Sequence, residues 1–371
     1  MKYEIRCTVC NRTVTNLLSY KCPSCNQPLD IKLNFNFETT KTQKDNYSIW
    51  RYAHCFPYVK KTEITTLGEG WTPLVKSSNN LYFKLESSNP TGSFKDRGSA
   101  VIISAIRDLV KKAGGHISED SSGNAGASIA AYAARAGLQA RIYVPENVSG
   151  PKYHQTLFYG AEVIKVAGTR SKVAEAAQKP EIHSFYVGHI LHPLFRDGIR
   201  SLAYEIAEQC GWHPPESIYL PASAGTLLLG LLSGFKHLVD SDVTDAMPRI
   251  IACQTEQVSP LYHRFKNLPY YPPEKVTSIA DALVSVNPPL LTLMVDRLKE
   301  AEGDAVLVQE DETLCAFKEL ARNGFFVEPS SAVAYAAYKQ QMKNGNSLKH
   351  DKTVIVLTGN GLKTMLTPNK T

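Results

Sequence analysis

The chain has 371 residues, of which 43% are hydrophobic and 20% are charged, and this length and composition fit a globular protein with two lobes and a sizeable core. The formal net charge of +6 is modest for the length, so it indicates small anionic ligands at most and does not indicate a nucleic-acid partner. No apolar run approaches the roughly 20 residues that cross a bilayer, and the first residues contain no apolar signal segment, so we expect a cytoplasmic protein without a membrane partner.

Two closely spaced cysteine pairs lie near the N-terminus. Cys7 and Cys10 form the first pair, and Cys22 and Cys25 form the second. This spacing is typical of a zinc ribbon, in which each pair occupies a tight turn and the four thiolates surround one zinc ion. A redox-active dithiol pair, or reduced thiols without a metal, would have the same pattern, whereas a disulfide framework is not expected without a secretory signal. We interpret residues 1–30 as a zinc-ribbon-like module that depends on zinc for its fold.

Residues 31–61 are polar, aromatic and irregular, which predicts a linker or arm. After this segment, apolar runs of helical and strand periodicity alternate along the chain. The predicted helices are 96–112, 124–136, 153–159, 171–178, 198–210, 226–238, 311–323 and 331–342. The predicted strands are 81–85, 140–144, 163–166, 217–220, 249–253, 305–308 and 353–357. Such alternation indicates an α/β fold with mostly parallel sheets, whose ligands bind at loops beyond the carboxyl ends of strands.

The most informative stretch is residues 89–98, with the sequence Asn-Pro-Thr-Gly-Ser-Phe-Lys-Asp-Arg-Gly. Asn-Pro and Thr-Gly are turn sequences, and Ser93 can cap the helix that follows. Lys95 then lies in the first helical turn, where the positive end of the helix dipole disfavours an ammonium group. Carbonyl chemistry requires an amine that loses its proton readily, so Lys95 is a candidate nucleophile. An ordinary solvated lysine is the alternative.

A second polar loop precedes the predicted helix 124–136. Ser121, Ser122, Gly123 and Asn124 form the polar start of that helix. The backbone N–H groups of a first helical turn have no partner within the helix, so they can bind a carboxylate. The alternative is a simple helix cap without a ligand.

Two further loops follow apolar strands. Ser223, Ala224, Gly225 and Thr226 connect a strand with a helix, and the small residues allow backbone N–H groups to approach a phosphate closely. Thr358 stands at the end of the last apolar strand and places a hydroxyl group at a strand end. Ordinary strand-to-helix turns have similar sequences, so each of these two signals is weak when taken alone.

Taken together, residues 89–98 resemble the Schiff-base loop of the pyridoxal 5′-phosphate (PLP) enzymes of the tryptophan-synthase-β fold type, above all the threonine synthase family. The resemblance covers roughly residues 66–363 and implies that Lys95 is the catalytic residue. The implied cofactor-binding residues are Lys95, Asn124, Ser223, Ala224, Gly225, Thr226 and Thr358. The residues implied to bind the carboxylate of the substrate are Ser121, Ser122 and Gly123.

The same resemblance implies a phosphate contact made by basic residues. Arg196 would bind the phosphate of the substrate through two parallel hydrogen bonds, with Arg200 in place of a lysine of the family, and Lys152 would face the same cleft. The local sequence departs from the family here, because the spacing from proline to arginine is one residue longer. Pairing of Arg196 with Asp197 or another acid at the surface is therefore the alternative.

The implied architecture is the α/β, two-lobed PLP-dependent fold type II with mostly parallel sheets, plus the small N-terminal zinc ribbon. PLP would lie in the cleft between the two lobes. We expect a catalytic domain at 62–371, with a large lobe at 62–98 and 193–371 and a small lobe at 99–192. The resemblance also implies a homodimer.

The implied activity is the conversion of O-phosphohomoserine and water to threonine and phosphate, so the expected partner is a phosphorylated amino acid. The loop 223–226 and residues 199–201 depart from the family pattern, and Ala125 replaces a residue that often carries a hydroxyl group. These departures leave open a PLP-dependent β-replacement or β-elimination on O-phosphoserine, serine or threonine. A different alternative is a catalytically inactive protein that uses its zinc ribbon to bind nucleic acid or protein.

Overall fold

The computed structural model describes residues 2–78, 80–344 and 352–364. Residue 1 of the predicted zinc module, and residues 345–351 and 365–371 of the predicted catalytic domain, lie outside the described residues. The chain divides into two compact units: unit 1 comprises Met1–Gly70 and Asn89–Ser201, and unit 2 comprises Trp71–Ser88 and Leu202–Thr371. The predicted division into a ribbon, an arm and two lobes stays a prediction.

Strands and helices alternate along most of the chain. In chain order the strands are β1 (Tyr3–Cys7), β2 (Thr13–Val14), β3 (Leu29–Leu33), β4 (Leu74–Lys76), β5 (Leu81–Lys84), β6 (His116–Glu119), β7 (Gln139–Pro145), β8 (Glu162–Val166), β9 (Ser184–Tyr186), β10 (Ser217–Pro221), β11 (Arg249–Thr255), β12 (Asp304–Val308) and β13 (Thr353–Val356). The helices are α1 (Lys95–Lys112), α2 (Asn124–Ala136), α3 (Pro151–Phe158), α4 (Arg170–Gln178), α5 (Pro193–Ile199), α6 (Ser201–Gln209), α7 (Thr226–Asp240), α8 (Pro260–Phe265), α9 (Leu291–Glu300), α10 (Glu310–Arg322) and α11 (Pro329–Lys343).

Unit 1 begins with a small antiparallel sheet in the order β2-β1-β3. Ile5 and Cys7 are buried on one face of β1, while Arg6 between them is exposed, which is the alternation expected of a half-buried strand. The segment after this sheet contains short 3-10 helices at Thr39–Lys41 and Ile49–Cys55, and it buries Trp50, Tyr52 and Phe56. The predicted arm is therefore packed through its aromatic residues.

The second sheet of unit 1 has the order β8-β7-β6-β9, and all of its neighbouring strands are parallel. The sequence did not predict β6 or β9. All four residues of β6 are buried although three of them are polar, so neither an apolar run nor an alternating pattern marks this strand. The sheet is nevertheless of the predicted parallel kind.

The sheet of unit 2 has the order β12-β11-β10-β13-β5-β4, and only β4 is antiparallel to its neighbour. The central strands β10 and β13 are buried along their whole length, as parallel strands covered on both faces are. The prediction of an α/β fold with mostly parallel sheets is confirmed. No helix among the described residues is both long and apolar enough to cross a membrane.

The predicted helix 198–210 is wrong, because the chain forms two shorter helices, α5 and α6, on either side of Arg200. The N–H group of Arg200 donates to the carbonyl oxygen of Asp197, three residues earlier, which tightens the turn. Gly198 packs so closely on α1 that a Cβ atom would lie 2.4 Å from the carbonyl oxygen of Arg97. Close packing against α1 therefore fixes this junction.

Unit 2 contains a fully buried ion pair between Lys84 and Glu205, whose side chains are both 0% exposed. The ammonium group also donates to the carbonyl oxygen of Thr72 at 2.6 Å and to Oε1 of Gln209 at 2.7 Å. The carboxylate accepts hydrogen bonds from the N–H groups of Trp71 at 2.8 Å and Thr72 at 2.7 Å. These contacts satisfy both charges and join β5, α6 and the chain before β4.

Candidate active site

Lys95 is the first residue of α1, so it lies in the first helical turn, as predicted from the sequence, although the predicted helix began one residue later. The predicted cap at Ser93 is wrong, because the N-cap is Phe94, which has helical backbone angles and makes no side-chain cap. The junction is held instead by Asp96, which accepts hydrogen bonds from the N–H and hydroxyl groups of Thr91 at 2.7 and 2.6 Å. Ser128 of α2 donates to the same carboxylate at 2.6 Å. The residue next to Lys95 therefore fixes the start of the helix.

The side chain of Lys95 is half-buried, and its Nζ lies 4.7 Å from the centre of the Phe94 ring. The hydroxyl group of Ser93, two residues earlier, is fully buried and has no hydrogen-bond partner among the residues that the structure describes. A buried hydroxyl group without a protein partner is uncommon and indicates a place for a polar ligand atom. The surroundings of Lys95 thus fit a bound polar group.

The loop 121–124 ends at the start of α2, where Gly123 is the N-cap and makes no side-chain cap. All four residues of this loop are half-buried. A Cβ atom at Gly123 would have only the hydroxyl group of Ser121 within 4 Å, so there is room beside the backbone. The first N–H groups of this 13-residue helix have no intrahelical partners and can bind an anion.

Hydrogen bonds within unit 1 connect these elements. The bond between Ser128 and Asp96 brings the first turns of α1 and α2 side by side. Gln155 of α3 donates to the carbonyl oxygen of Thr91 at 3.1 Å, and Lys152, one turn earlier on the same helix, is 9% exposed. Unit 1 therefore brings Lys95 near the starts of α2 and α3.

In unit 2, the loop 223–226 follows β10 and leads into α7, a helix of 15 residues. Gly225 is the N-cap with a φ of +100°, and a Cβ atom there would lie 2.5 Å from Sδ of Met294, so only glycine fits. Ser223 and Ala224 are half-buried. A glycine turn that opens a long helix is an anion-binding arrangement.

Thr358 follows β13, which pairs with β10 in the same sheet, so Thr358 and the loop 223–226 stand at the carboxyl ends of neighbouring parallel strands. The hydroxyl oxygen of Thr358 lies 2.9 Å from that of Ser331, which in turn accepts a hydrogen bond from the N–H group of Gly359 at 2.9 Å. These bonds fix the position of the threonine hydroxyl group. Ligands of parallel sheets bind at such strand ends.

Arg196 and Arg200 are only 3% exposed, and both donate hydrogen bonds to carbonyl oxygens of unit 1. The guanidinium of Arg196 donates to the carbonyl oxygens of Ile190 at 2.9 Å and Leu191 at 3.1 Å, and to that of Leu29 in β3. Arg200 pairs with Asp197 and donates to the carbonyl oxygen of Ile31. The predicted contact of both arginines with a substrate phosphate stays a prediction, and these hydrogen bonds favour a structural function instead.

We expect Arg196→Ala to destabilise unit 1 by roughly 2–4 kcal/mol, because three carbonyl oxygens, two of them in buried hydrogen bonds, lose a charged donor. Limited proteolysis of the first 60 or so residues, together with urea unfolding, measures the effect. Arg135→Ala is the control, since this exposed arginine also donates to a carbonyl oxygen, that of Thr66. Unchanged protease resistance, with a selective loss of activity on phosphorylated substrates, would instead support the predicted phosphate contact.

The four N-terminal cysteines come together in unit 1. The Sγ atoms of Cys7, Cys10, Cys22 and Cys25 all lie within 4.8 Å of one another. Four thiolates about 2.3 Å from a zinc ion would lie about 3.8 Å apart, and the closest pairs here are 3.4–3.6 Å apart. The N–H group of Cys10 points to Sγ of Cys7 at 3.4 Å, as in the tight turns of zinc ribbons. The donor set fits zinc.

Known proteins are similar to this chain along most of its length. A family model described as pyridoxal-phosphate dependent enzyme matches residues 65–359. The chain belongs to this family. A threonine synthase from Methanocaldococcus jannaschii is 31% identical and covers 96% of this chain and 92% of its own. Another from Methanosarcina acetivorans is 29% identical, with 97% and 92% coverage, and a third from Halalkalibacterium halodurans is 31% identical, with 85% and 90% coverage.

Solved structures confirm the fold of this PLP-dependent enzyme. Threonine deaminase isoform 2 from Solanum lycopersicum has a TM-score of 0.69 at 20% identity and covers 90% of this chain and 89% of its own. Maize serine racemase has a TM-score of 0.67 at 20% identity, with 91% and 96% coverage. The predicted fold type II is confirmed, and so is the prediction of a PLP-dependent lyase that resembles threonine synthase. The alternative of a catalytically inactive binding protein is therefore rejected.

Sequence reasoning missed a buried polar group in unit 1 that includes Glu119, Asp120 and His189. Glu119 and Asp120 directly precede the loop 121–124, and two adjacent acids at the end of a strand are the only signal in the sequence. His189 lies 70 residues later, and only the pairing of β6 with β9 shows that it returns to the same place. A contact between residues so far apart in sequence leaves no local sequence pattern that would predict it.

Proposed function

We propose that this enzyme is a threonine synthase, which converts O-phosphohomoserine and water to threonine and phosphate. The observation that carries the proposal is the similarity to threonine synthases along almost the whole chain, including 31% identity over 96% of it. The placement of Lys95 in the first turn of α1 supports it, because the helix dipole there favours the neutral amine.

The residues of both units have separate tasks in this proposal. Lys95 would carry the cofactor, the N–H groups of residues 223–226 would hold its phosphate, and Asn124 and Thr358 would contact its ring. When bound, PLP supplies an electron sink that makes protons on the neighbouring substrate carbons easier to remove. Lys95, once replaced at the cofactor by the amine of the substrate, would move protons between Cα and Cβ.

In this proposal, unit 1 supplies the substrate-binding residues. The start of α2, with Ser121, Ser122 and Gly123, would bind the carboxylate of the substrate through backbone N–H groups. Lys152, on the helix that bonds to the loop before Lys95, would contact the phosphate. We expect these contacts to hold the substrate at its carboxylate and its phosphate. Such a grip would keep the substrate in place until phosphate has left Cγ, after which water adds to Cβ.

One observation favours a second candidate function. Arg196 and Arg200, which would bind the phosphate of the substrate, donate hydrogen bonds to backbone carbonyl oxygens within unit 1. Without these guanidinium groups, the site would have less positive charge for a phosphorylated substrate. The second candidate is therefore a β-elimination or β-replacement, and of its three possible substrates these hydrogen bonds favour serine or threonine over O-phosphoserine, which also carries a phosphate.

A direct assay separates the two candidates. The purified holoenzyme is incubated in parallel with O-phosphohomoserine, O-phosphoserine, serine and threonine, and phosphate, threonine and 2-oxo acids are measured, with sulfide added in one series. Threonine and phosphate in equal amounts from O-phosphohomoserine support threonine synthase. A 2-oxo acid or a sulfur-containing amino acid as the main product, with no threonine from O-phosphohomoserine, would replace it with the β-reaction.

We further propose that the four N-terminal cysteines bind one zinc ion. We expect Cys22→Ser together with Cys25→Ser to lose the metal and to make residues 2–33 sensitive to protease, because a structural zinc site contributes its binding energy to folding. PLP should remain bound. Metal analysis and limited proteolysis measure the result, and Cys315→Ser, at an exposed cysteine, is the control. Wild-type protein that contains no zinc and has four free thiols here would contradict the proposal.

The homodimer remains a prediction of the resemblance, and the cytoplasmic location remains a prediction of the sequence. Light scattering of the purified enzyme measures the first, and fractionation of cells that produce it measures the second.

A further inference from the structure

The cysteine-rich module, residues 2–33, contacts the rest of unit 1 through the ring of Tyr20. This residue lies two positions before Cys22, which belongs to the cluster of four cysteines. Lys21, between the two, forms an isolated antiparallel bridge with Pro28. The fold of the module therefore determines where the ring of Tyr20 stands.

The ring of Tyr20 packs edge to face on the ring of Tyr186 in β9. The ring centres are 4.7 Å apart, and the ring planes make an angle of 65°. This distance and angle are those of a favourable aromatic pair. Ala177 and Leu191 complete the small apolar cluster against which Tyr20 packs. Tyr20 thus helps to fix the orientation of the Tyr186 ring.

Tyr186 in turn holds Asp120, the residue directly before the loop 121–124. Its hydroxyl group donates to Oδ1 of Asp120 at 2.6 Å. Burial, together with the charge of Asp120, raises the pKa of Tyr186 well above its ordinary value, so the hydroxyl group keeps the proton that it donates. A Cβ atom at Gly188 would overlap this hydroxyl group, so a larger residue there would displace it from Asp120.

A second contact joins the module to the same carboxylate. Nζ of Lys21 donates to Oε1 of Gln178, the last residue of α4, at 3.1 Å. Arg170, the first residue of α4, pairs with Oδ2 of Asp120 at 2.6 Å. Two neighbouring residues of the module thus contact β9 and α4, the two elements that hold Asp120.

The position of Asp120 bears directly on the loop 121–124, because a peptide bond joins it to Ser121. The N–H group of Gly123 donates to Oγ of Ser121 at 3.2 Å. A Cβ atom at Gly126, in the first turn of α2, would overlap the carbonyl oxygen of Ser121, so the loop lies tightly against the helix that it starts. A displacement of Asp120 would therefore move the backbone N–H groups at the start of α2.

We propose that Tyr20 is a positioning residue for the loop 121–124, on which it acts through Tyr186 and Asp120. The inference rests on the proposed function of that loop, which is to bind the carboxylate of the substrate, and it holds for either candidate reaction. With the ring of Tyr20 in place, the hydroxyl group of Tyr186 reaches Asp120. Without that ring, Tyr186 gains room to turn away, and the start of α2 is no longer held in its carboxylate-binding position.

The test compares two ligands of the PLP holoenzyme, L-2-aminobutyrate and propylamine, which is the same molecule without its carboxylate. Both react with the cofactor through their amine, so the change in visible absorption gives each dissociation constant. We expect Tyr20→Ala to weaken the binding of L-2-aminobutyrate about five- to tenfold, the lower range of coupling between sites, and to leave that of propylamine unchanged. Tyr20→Phe, which retains the ring, should bind both ligands like the wild type.

Tyr186→Phe tests the step from Tyr186 to Asp120, because it removes only the hydroxyl group. We expect it to weaken the binding of L-2-aminobutyrate to a similar extent. Tyr20→Ala should then have no further effect in the Tyr186→Phe background, because the ring of Tyr20 acts through that hydroxyl group.

Two results overturn the inference. In the first, the effects of Tyr20→Ala and Tyr186→Phe multiply in the double variant, which shows that they are independent. In the second, Tyr20→Ala weakens the binding of propylamine as much as that of L-2-aminobutyrate, which indicates a general loss of structure. If Tyr20→Ala does not fold, Tyr20→Leu takes its place with the same expectations.

The wild-type enzyme separates this inference from the function on which it rests. If the wild type binds L-2-aminobutyrate no more tightly than propylamine, the proposed carboxylate site fails and the inference fails with it. If the wild type prefers L-2-aminobutyrate and Tyr20→Ala retains that preference in full, only the inference fails.

Discussion

Replacement of Lys95 by alanine is expected to lower the turnover number on the order of 10³-fold or more, because under the proposed function the chain loses both its covalent bond to the cofactor and its proton carrier. The fold should survive. Asp96 holds the start of α1 through Thr91 and Ser128, and none of these bonds involves the lysine side chain. Steady-state assays and urea unfolding of the variant measure the two parts of this expectation.

The matched control is Lys111→Ala, at an exposed lysine in the last turn of the same helix, which should retain activity. Noncovalent PLP would still bind to Lys95→Ala through its phosphate, so bound cofactor alone does not test the assignment. Wild-type turnover by Lys95→Ala, in protein free of host enzyme, would remove Lys95 from the mechanism.

The largest expected effect on stability is at Lys84. Lys84→Met should lower the free energy of unfolding by roughly 3–5 kcal/mol, because it leaves the carboxylate of Glu205 charged and buried without its cation. Urea unfolding, followed by the fluorescence of the tryptophans, measures the change. Lys236→Met is the control, since its pair with Asp240 is exposed at 58% and 55% and should contribute less than about 1 kcal/mol.

A second variant separates the loss of charge balance from a loss of packing. In Lys84→Met with Glu205→Leu, both charges are absent, and we expect most of the lost stability to return, as it does when buried ion pairs are replaced by apolar groups. If the double variant is as unstable as Lys84→Met, packing around β5 and α6 dominates. Equal stability of Lys84→Met and the wild type would contradict the expectation outright.

The parts of the molecule that the sequence predicted are those with a local pattern. Three helices begin at Lys95, Asn124 and Thr226. Each follows a short loop of small and polar residues and has regular apolar periodicity, so turn chemistry and helical spacing together determine where it begins. The strands of the unit 2 sheet are short apolar runs of the length that buried parallel strands have. The periodicity and length of these segments were therefore enough to predict both the helices and the strands.

The parts that the sequence did not predict depend on tertiary packing. Strand β6 is polar and buried, and it forms because β7 and β9 pair with it on both sides. The burial of Arg196 follows from its contact with β3, which is 167 residues away in sequence. Its guanidinium could equally well have bound a substrate, because the sequence around Arg196 does not show that a carbonyl oxygen of β3 lies beside it.

The hydrogen bonds from Arg196 to β3 and from Arg200 to Ile31 bear on how this chain can change over evolution or in the laboratory. A shortened enzyme that begins after β3 would lose one acceptor of each guanidinium group, the carbonyl oxygen of Leu29 for Arg196 and that of Ile31 for Arg200. Each guanidinium would retain its partners within residues 190–197. A lost hydrogen bond from a charged group costs about 1.5–3 kcal/mol. We therefore expect that the loss or exchange of β3 lowers stability unless positions 196 and 200 change with it.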